Sequence, residues 1–280
     1  MIALPAPEVV ELAGPDAQKF AQAQFCNDVL ALAPGNSQLN GWLTTQGRVR
    51  RLFHLYCWDE SRYWLVMRGG DAASIVTPLK MFVFRLKVQV AVVSGWRLWG
   101  SAEGAAPAGA ASIPLPDGRY LHLAPDCTDS APPASAPAAW TCADIEHGLP
   151  WLPEHAIEQV LPSWMGFQAL GAISHRKGCY PGQEIVARLH FKGGADKRGP
   201  AVVRARPDVL ATAGTLRDAQ GGEAGILLQH AHEGGSAIGL AVLRRDVAQS
   251  GAVVFADGGA PIEVLGPPKL PGTAAETATT

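Results

Sequence analysis

The run Lys177-Gly178-Cys179-Tyr180-Pro181-Gly182-Gln183-Glu184 sets a thiol in a bend between glycines, with a cation two residues before it. A cysteine so placed can be held exposed and ionised, and a thiolate can attack an electrophile, accept persulfide sulfur or transiently hold iron. Pro181 suits the first turn of a helix, where its missing N–H has no partner to lose. Ile185, Val186 and Leu189 then follow at helical spacing. Cys179 would thus sit just ahead of a helix N-terminus, whose unpaired N–H groups favour an anion, with Lys177 adding positive charge. A lowered thiol pKa is the expectation. The opposing reading is a small buried hydrophobe, the commonest state of a free cysteine.

The elements that must position this run are legible in outline. Pro15 to Leu30 reads as a helix started by Gly14-Pro15-Asp16. Leu39 to Leu43, Val49 to Trp58 and Tyr63 to Met67 carry β-branched or aromatic residues between turns, which predicts a small antiparallel sheet. A helix from Ala72 to Phe84 and a strand from Lys87 to Val93 follow. Ser101 to Ser112 and Asp129 to Ala139, rich in Ala, Pro, Gly and Ser, read as surface loops flanking a short strand at Tyr120 to Leu123. Thr141 to Gly148 reads as a helix stopped by Gly148-Leu149-Pro150. After Arg198, short Val/Leu/Ile runs broken by glycine, from Ala201 to Val264, predict a compact β-barrel or sandwich.

The whole is an α+β body followed by a β domain. The expected division is a discontinuous first domain (1–40 and 95–196), a second of antiparallel sheet plus helix (41–94), a barrel (197–267) and a disordered tail (268–280). With 280 residues and 48% hydrophobic content the chain can bury a sizeable core, and its net charge of −2 offers no global field for nucleic acid or an anionic membrane. Five scattered cysteines, Cys26, Cys57, Cys127, Cys142 and Cys179, with no CxxC pair and no export signal, fit a reducing bacterial cytoplasm. No apolar run reaches the roughly 18 to 20 residues of a membrane span. A monomer that binds neither nucleic acid nor membrane is expected.

Outside the Cys179 run, Gln24 and Asp28 are polar where a plain core helix would not need them, although capping explains them as well. Glu146 is a carboxylate near a helix end. Arg176, Lys177, Arg188, Lys192, Lys197 and Arg198, against Glu184 and Asp196, give 6 − 2 = +4 between positions 176 and 198. That segment suits an anionic ligand or an acidic partner, or is a solvated helix face. His230-Ala231-His232-Glu233 is read as a loop without companions for a metal. No iron–sulfur ligand set, phosphate loop or GxSxG elbow is present.

The Lys177–Glu184 run resembles the KGCYxGQE signature of the YgfZ family of folate-binding proteins, and the resemblance extends unevenly over about residues 9 to 265. Leu12 to Asp16 and Gln22 to Val29 look like the family's opening helix, and Asp144 to Pro150 is similar to its (R)xEAGxP stretch. The resemblance implies a fold like that of the glycine cleavage aminomethyltransferase (GcvT-like): two intertwined α+β domains and a C-terminal β-barrel around a central folate-binding opening. It implies a bound tetrahydrofolate or one-carbon derivative and a role in iron–sulfur cluster assembly or repair, with assembly factors or client enzymes as partners. Cys179 is then the reacting group, and Glu146, Lys177, Tyr180, Gln183, Gln24 and Arg188 the folate contacts, with no resident metal. A carboxylate at Glu146 can accept two N–H bonds from an aminopyrimidine edge. Departures are Asp144 for the family's arginine, His147 for its alanine, and Ser163 and Gly166 for the glutamine and asparagine ahead of the signature.

The alternative is a folate-dependent aminomethyl transferase or demethylase of the same fold. Those enzymes place an aspartate in a VNxxxxxKD stretch, where this chain has Ser74, with Asp71 nearby. A hydroxyl cannot stabilise a developing cation as a carboxylate does. A third possibility is a binding module with no chemistry, in which Cys179 is packed. The residues leave open whether turnover occurs.

Overall fold

The computed structural model describes residues 1–102, 104, 109–126, 137–192, 197–249 and 252–271. The chain folds as two compact units, Met1–Pro137 with Gly171–Gln183, and Ala138–Leu170 with Glu184–Thr280. The Cys179 run therefore belongs to the first unit through its Gln183, although it lies far along the chain.

In chain order the first unit contains β1 (Ile2–Ala3), β2 (Val9–Ala13), α1 (Ala17–Gln24), β3 (Ser37–Leu43), β4 (Val49–Asp59), β5 (Arg62–Met67) and α2 (Ala73–Lys80), then β6 (Gln89–Val93), β7 (Trp96–Ser101), β8 (Ala111–Pro114) and β9 (Tyr120–Pro125). Five strands form an antiparallel sheet in the order β3-β4-β5-β2-β6, and four form a second in the order β1-β7-β9-β8. Alternation explains the layering. Phe53, Leu55 and Cys57 of β4 pair with Met67, Leu65 and Tyr63 of β5, and all six belong to one core with Phe20 and Phe25, and with Ile75 and Leu79 of α2. Each such fully buried side chain stabilises the fold by about 1.5–3 kcal/mol. The alternate residues Leu52, His54 and Tyr56 are buried too, and β8 lies close to β3 and β4. Trp64 of β5 and Trp96 of β7 join the two sheets edge to face at 4.6 Å.

The second unit holds all but the first residue of α3 (Pro137–Glu146) and of α4 (Gln183–Lys192), followed by β10 (Arg198–Ala205), α5 (Pro207–Thr212), β11 (Thr215–Arg217), β12 (Glu223–Glu233), β13 (Ser236–Arg244), α6 (Arg245–Gln249), β14 (Val253–Phe255) and β15 (Pro261–Gly266). Its strands close a barrel in the order β10-β13-β12-β11-β14-β15, with β15 returning to β10. The fold is thus mixed α and β with a C-terminal barrel, as the glycine-punctuated Val/Leu/Ile runs predict. Val203, Leu227, Ala241, Leu243 and Ile262 fill the interior.

Several elements differ from the sequence expectation, each for a local reason. The helix expected over Pro15 to Leu30 stops at Gln24, because Phe25 turns extended and bridges Trp42. Asp28 instead caps a short 3₁₀ turn, Val29–Ala31, through the Leu30 N–H. The helix expected to reach Phe84 ends at Lys80, with Pro78 inside it and Phe84 in the left-handed region at φ 45°. Ala111–Pro114, inside and beyond a stretch read as surface loop, is a strand with Ala111 and Ile113 buried, since backbone pairing asks little of side-chain size. His230 and His232 end β12 opposite Gly239 and Ala237, where a loop was expected. Pro268–Leu270, expected to begin a disordered tail, is in place: Leu270 and Pro268 lie against Gly148. Cys127 and most of Asp129 to Ala139 fall outside the described residues.

Gly225 illustrates the tolerance of the barrel. A Cβ there would lie 2.0 Å from the Val242 carbonyl oxygen, whereas one at Gly199 meets nothing within 4 Å. Gly225→Ala is expected to lower the unfolding free energy by more than about 2 kcal/mol in urea titration. Gly199→Ala should stay within about 0.5 kcal/mol of the unaltered protein, and equal losses would contradict this packing.

Candidate functional site

The site is built on the end of α1. A helix leaves its last four carbonyls without intrahelical partners, and a cation there is favoured by the helix dipole. Lys177 supplies it. Its side chain is buried, and Nζ donates to the carbonyls of Gln22 at 2.6 Å, of Asn27 at 3.0 Å, and of Phe25. An ammonium has three N–H donors, and all three are engaged. Burial lowers its pKa to about 8, opposed by the nearby Cys26 and Asp28. The carbonyls favour the charged form.

Neighbouring bonds tie the same corner to the sheet. Asn27 Nδ2 donates to the carbonyls of Leu39 at 3.0 Å and Gly171 at 2.7 Å, while the Ser174 N–H donates to the Cys26 carbonyl at 3.0 Å. Cys26 is buried beside the Ala172 carbonyl and Asn40, and desolvation pushes its pKa up to about 12. The Tyr180 ring is buried with Lys177 Nζ 5.2 Å from its centroid, and Gln183 Nε2 reaches back to the Lys177 carbonyl at 3.3 Å. Gly182, at φ 79°, rests on the β3–β4 hairpin so closely that a Cβ would lie 2.4 Å from the Thr44 oxygen and 2.7 Å from Gly47 Cα. Lys, Tyr, Gly and Gln of the signature thus hold the loop. Gly178 and Cys179 between them are exposed.

The helix relation differs from expectation. Pro181 and Gly182 form a turn, and α4 starts at Gln183, four residues past the thiol. The dipole field falls off within the first turn, and the Lys177 ammonium is directed into the α1 carbonyls. The basic segment is likewise divided. Lys177 is internal, Arg198 pairs with Glu223 at 2.9 Å, and Arg176 and Arg188 are exposed.

Of the residues singled out from the sequence, Cys179, Lys177, Tyr180, Gln183 and Gln24 share the first unit, and Glu146 and Arg188 belong to the second. Gln24 ends α1, and its Oε1 is buried with no hydrogen-bond partner among the described residues. Glu146 ends α3. Its carboxylate, partly solvated, is 3.4 Å from the exposed Lys269 Nζ, and its carbonyl accepts the Lys269 N–H at 2.7 Å. Asp71 Oδ1 accepts the Ser74 N–H at 2.7 Å, and Ser74 Oγ accepts from Arg51 at 2.7 Å. The anchoring roles of Asn27, Asn40 and the Thr44–Gly47 hairpin were missed in the sequence, where only the polarity of Asn27 beside Cys26 hinted at them. Among the described residues no group of three or more His, Cys, Asp or Glu is placed for a metal, and no helix is long and apolar enough to cross a membrane.

Comparison with solved structures identifies the class. A glycine cleavage system aminomethyltransferase T from Bartonella henselae matches with a TM-score of 0.64 over 94% of this chain and 84% of that one, at 14% identity. The chain has the aminomethyltransferase-like fold. By sequence it is 30% identical over 216 residues to the tRNA-modifying protein YgfZ of Edwardsiella ictaluri (strain 93-146), covering 66% of this chain and 65% of that protein. It is 23% identical over 266 residues to the YgfZ of Aliivibrio fischeri (strain MJ11), covering 85% and 83%, and 27% identical over 220 residues to an uncharacterised Haemophilus influenzae protein, covering 76% of each. No family model matches. The chain is similar in sequence to YgfZ proteins and spans 65% of the length of the Edwardsiella relative.

The geometry gives two expectations. Gly182→Ala should destabilise by about 2–4 kcal/mol, through strain and the clash with the hairpin, while Gly178→Ala, with open space around it, should be tolerated. Similar melting temperatures would contradict the clamp. Because the Cys26 pKa is raised from 9.0 to about 12, keeping that thiol neutral favours the folded state fully below pH 9 and progressively less toward 12. The stability difference between the protein and Cys26→Ala should follow that course in pH-dependent denaturation, and a flat difference from pH 8 to 12 would refute it.

Proposed function

We propose that the protein binds tetrahydrofolate or a one-carbon derivative and presents Cys179 as the reacting group of an accessory factor for iron–sulfur cluster assembly or repair. It works as a monomer in the bacterial cytoplasm, with assembly factors or client enzymes as partners. One observation carries this reading: Lys177, Tyr180, Gly182 and Gln183 hold the signature loop, and Cys179 is its exposed chemical group. Glu146 suits a pterin, having a partly solvated carboxylate with lone pairs for an N–H edge. When bound, the folate would supply a one-carbon unit or a protective cofactor, while Glu146 orients the ring.

One-carbon transfer ranks second. Asp71 is engaged with the Ser74 N–H and Ser74 with Arg51, so the stretch that carries the transferases' aspartate holds a capped helix start instead. The name shared by the relatives favours a third element, a link to tRNA maturation, which suits an accessory factor whose clients act on tRNA.

Calorimetry with tetrahydrofolate tests the ligand. Glu146→Gln should weaken binding by about 1.5–3 kcal/mol, the scale of a lost charged hydrogen bond, and an unchanged affinity would remove Glu146 from the site. Cys179→Ala should keep that affinity yet fail to restore cluster-dependent enzyme activities in a deletion strain. Full restoration would remove the thiol from the mechanism.

A further inference from the structure

Between Asp28 and Asp59, and again between Asp71 and Glu103, the sequence holds no carboxylate, while the two intervals carry Arg48, Arg50, Arg51, Lys80, Arg85, Lys87 and Arg97. The fold brings parts of both intervals together. Arg50 of β4 lays its guanidinium over the Trp42 ring, 4.7 Å from the centroid, and Trp42 meets Phe82 edge to face at 6.0 Å. Phe82 opens the turn after α2, where Met81 is 75% exposed and Phe84 86% exposed. Arg85 stacks on Phe84 at 5.2 Å. Among the described residues, Asp16 accepts the Lys87 N–H at 2.8 Å at the end of this turn.

Phe84 serves the fold poorly. Its ring is left in water, and its backbone is left-handed at φ 45°, a conformation that costs a non-glycine residue free energy. The turn is nevertheless ordered by the bonds Phe82 N–H to Leu79, Val83 N–H to Lys80 and Leu86 N–H to Val83. An ordered turn that displays a strained aromatic ring between cations is built to be occupied.

The exposed Phe84 ring with the Arg85 guanidinium over it, beside Arg50 over the buried Trp42 ring, joins an aromatic face on which unpaired bases stack to cations that track phosphates. An acidic protein would account for the cations without the stacked planes. A membrane surface would call for a long amphipathic helix, and α2 has eight residues. We infer that the face formed by Arg50, Lys80, Phe82, Phe84, Arg85 and Lys87 binds unpaired segments of RNA. The β3–β4 hairpin that leads to Arg50 also supports Gly182, so the RNA face adjoins the loop that presents Cys179. This replaces the expectation, drawn from the net charge, that nucleic acid is not a partner. It rests on the tRNA-linked reading above for its probe and stands apart from the folate site.

The experiment is fluorescence anisotropy of the full chain with a labelled unmodified tRNA transcript and with a blunt RNA duplex. The transcript should bind more tightly than the duplex, and for four phosphate contacts its affinity should fall about 50- to 150-fold between 50 and 200 mM salt. Phe84→Gly should weaken binding about five- to 150-fold by removing one stacking ring. Because glycine takes positive φ freely, it should leave the melting temperature unchanged or higher. The double variant Lys80→Gln, Arg85→Gln should weaken binding and flatten the salt dependence. Absence of tRNA binding at 50 mM salt, binding that neither variant weakens, or binding to anionic vesicles in its place would overturn the inference. Tetrahydrofolate binding in the same preparation separates the two readings: folate bound without tRNA refutes only the RNA face, and tRNA bound without folate refutes only the folate site.

Discussion

The Lys177 ammonium in its cage of carbonyls is the interaction on which the architecture of the site depends. A charge removed from water is costly unless every donor is matched, and here the Gln22, Phe25 and Asn27 oxygens match them. Those oxygens exist as a set because α1 ends at Gln24 and the chain turns extended at Phe25. The ammonium therefore reads the end of a helix more than 150 positions back along the sequence and fixes the signature loop against it. With Gly182 seated on the β3–β4 hairpin, the loop is pinned at both sides of Cys179.

This arrangement separates the groups that hold the loop from its exposed thiol within a run of eight residues. The groups that sequence chemistry would have assigned to activating the thiol are employed elsewhere: the lysine on backbone oxygens, the proline in a turn ahead of α4. What remains outward is Gly178 and Cys179, a small residue beside a thiol. The same hairpin that supports the loop leads into the Arg50–Trp42–Phe82 cluster, so both rest on one scaffold.

Much of this was legible in the residues. Strand alternation in β4 and β5, and glycine-broken aliphatic runs in the barrel, express period-2 burial that any sheet must show. The signature marked the place of Cys179. What stayed hidden depended on long-range partners: nothing local to Lys177 says that its acceptors lie at the end of α1, and nothing local distinguishes Gly182, pressed on backbone atoms, from Gly178 in open space. The end of α1 was equally invisible, since Phe25 and Asn27 break the helix in favour of contacts with Trp42 and Leu39 in another element. The sequence places Phe84 at the end of a helix, whereas the fold puts it in the left-handed region with its ring exposed.

The most direct test replaces Lys177 by methionine, which keeps the stem and removes the charge. Chemical denaturation and amide hydrogen exchange over residues 171–183 would report the result. The account predicts a loss of at least about 3 kcal/mol, as expected when a buried, fully bonded charge is removed, together with lost protection at Ser174, whose N–H is bound to Cys26. Unchanged stability and protection, with only ligand affinity reduced, would contradict it by making Lys177 a ligand contact that the fold does not need.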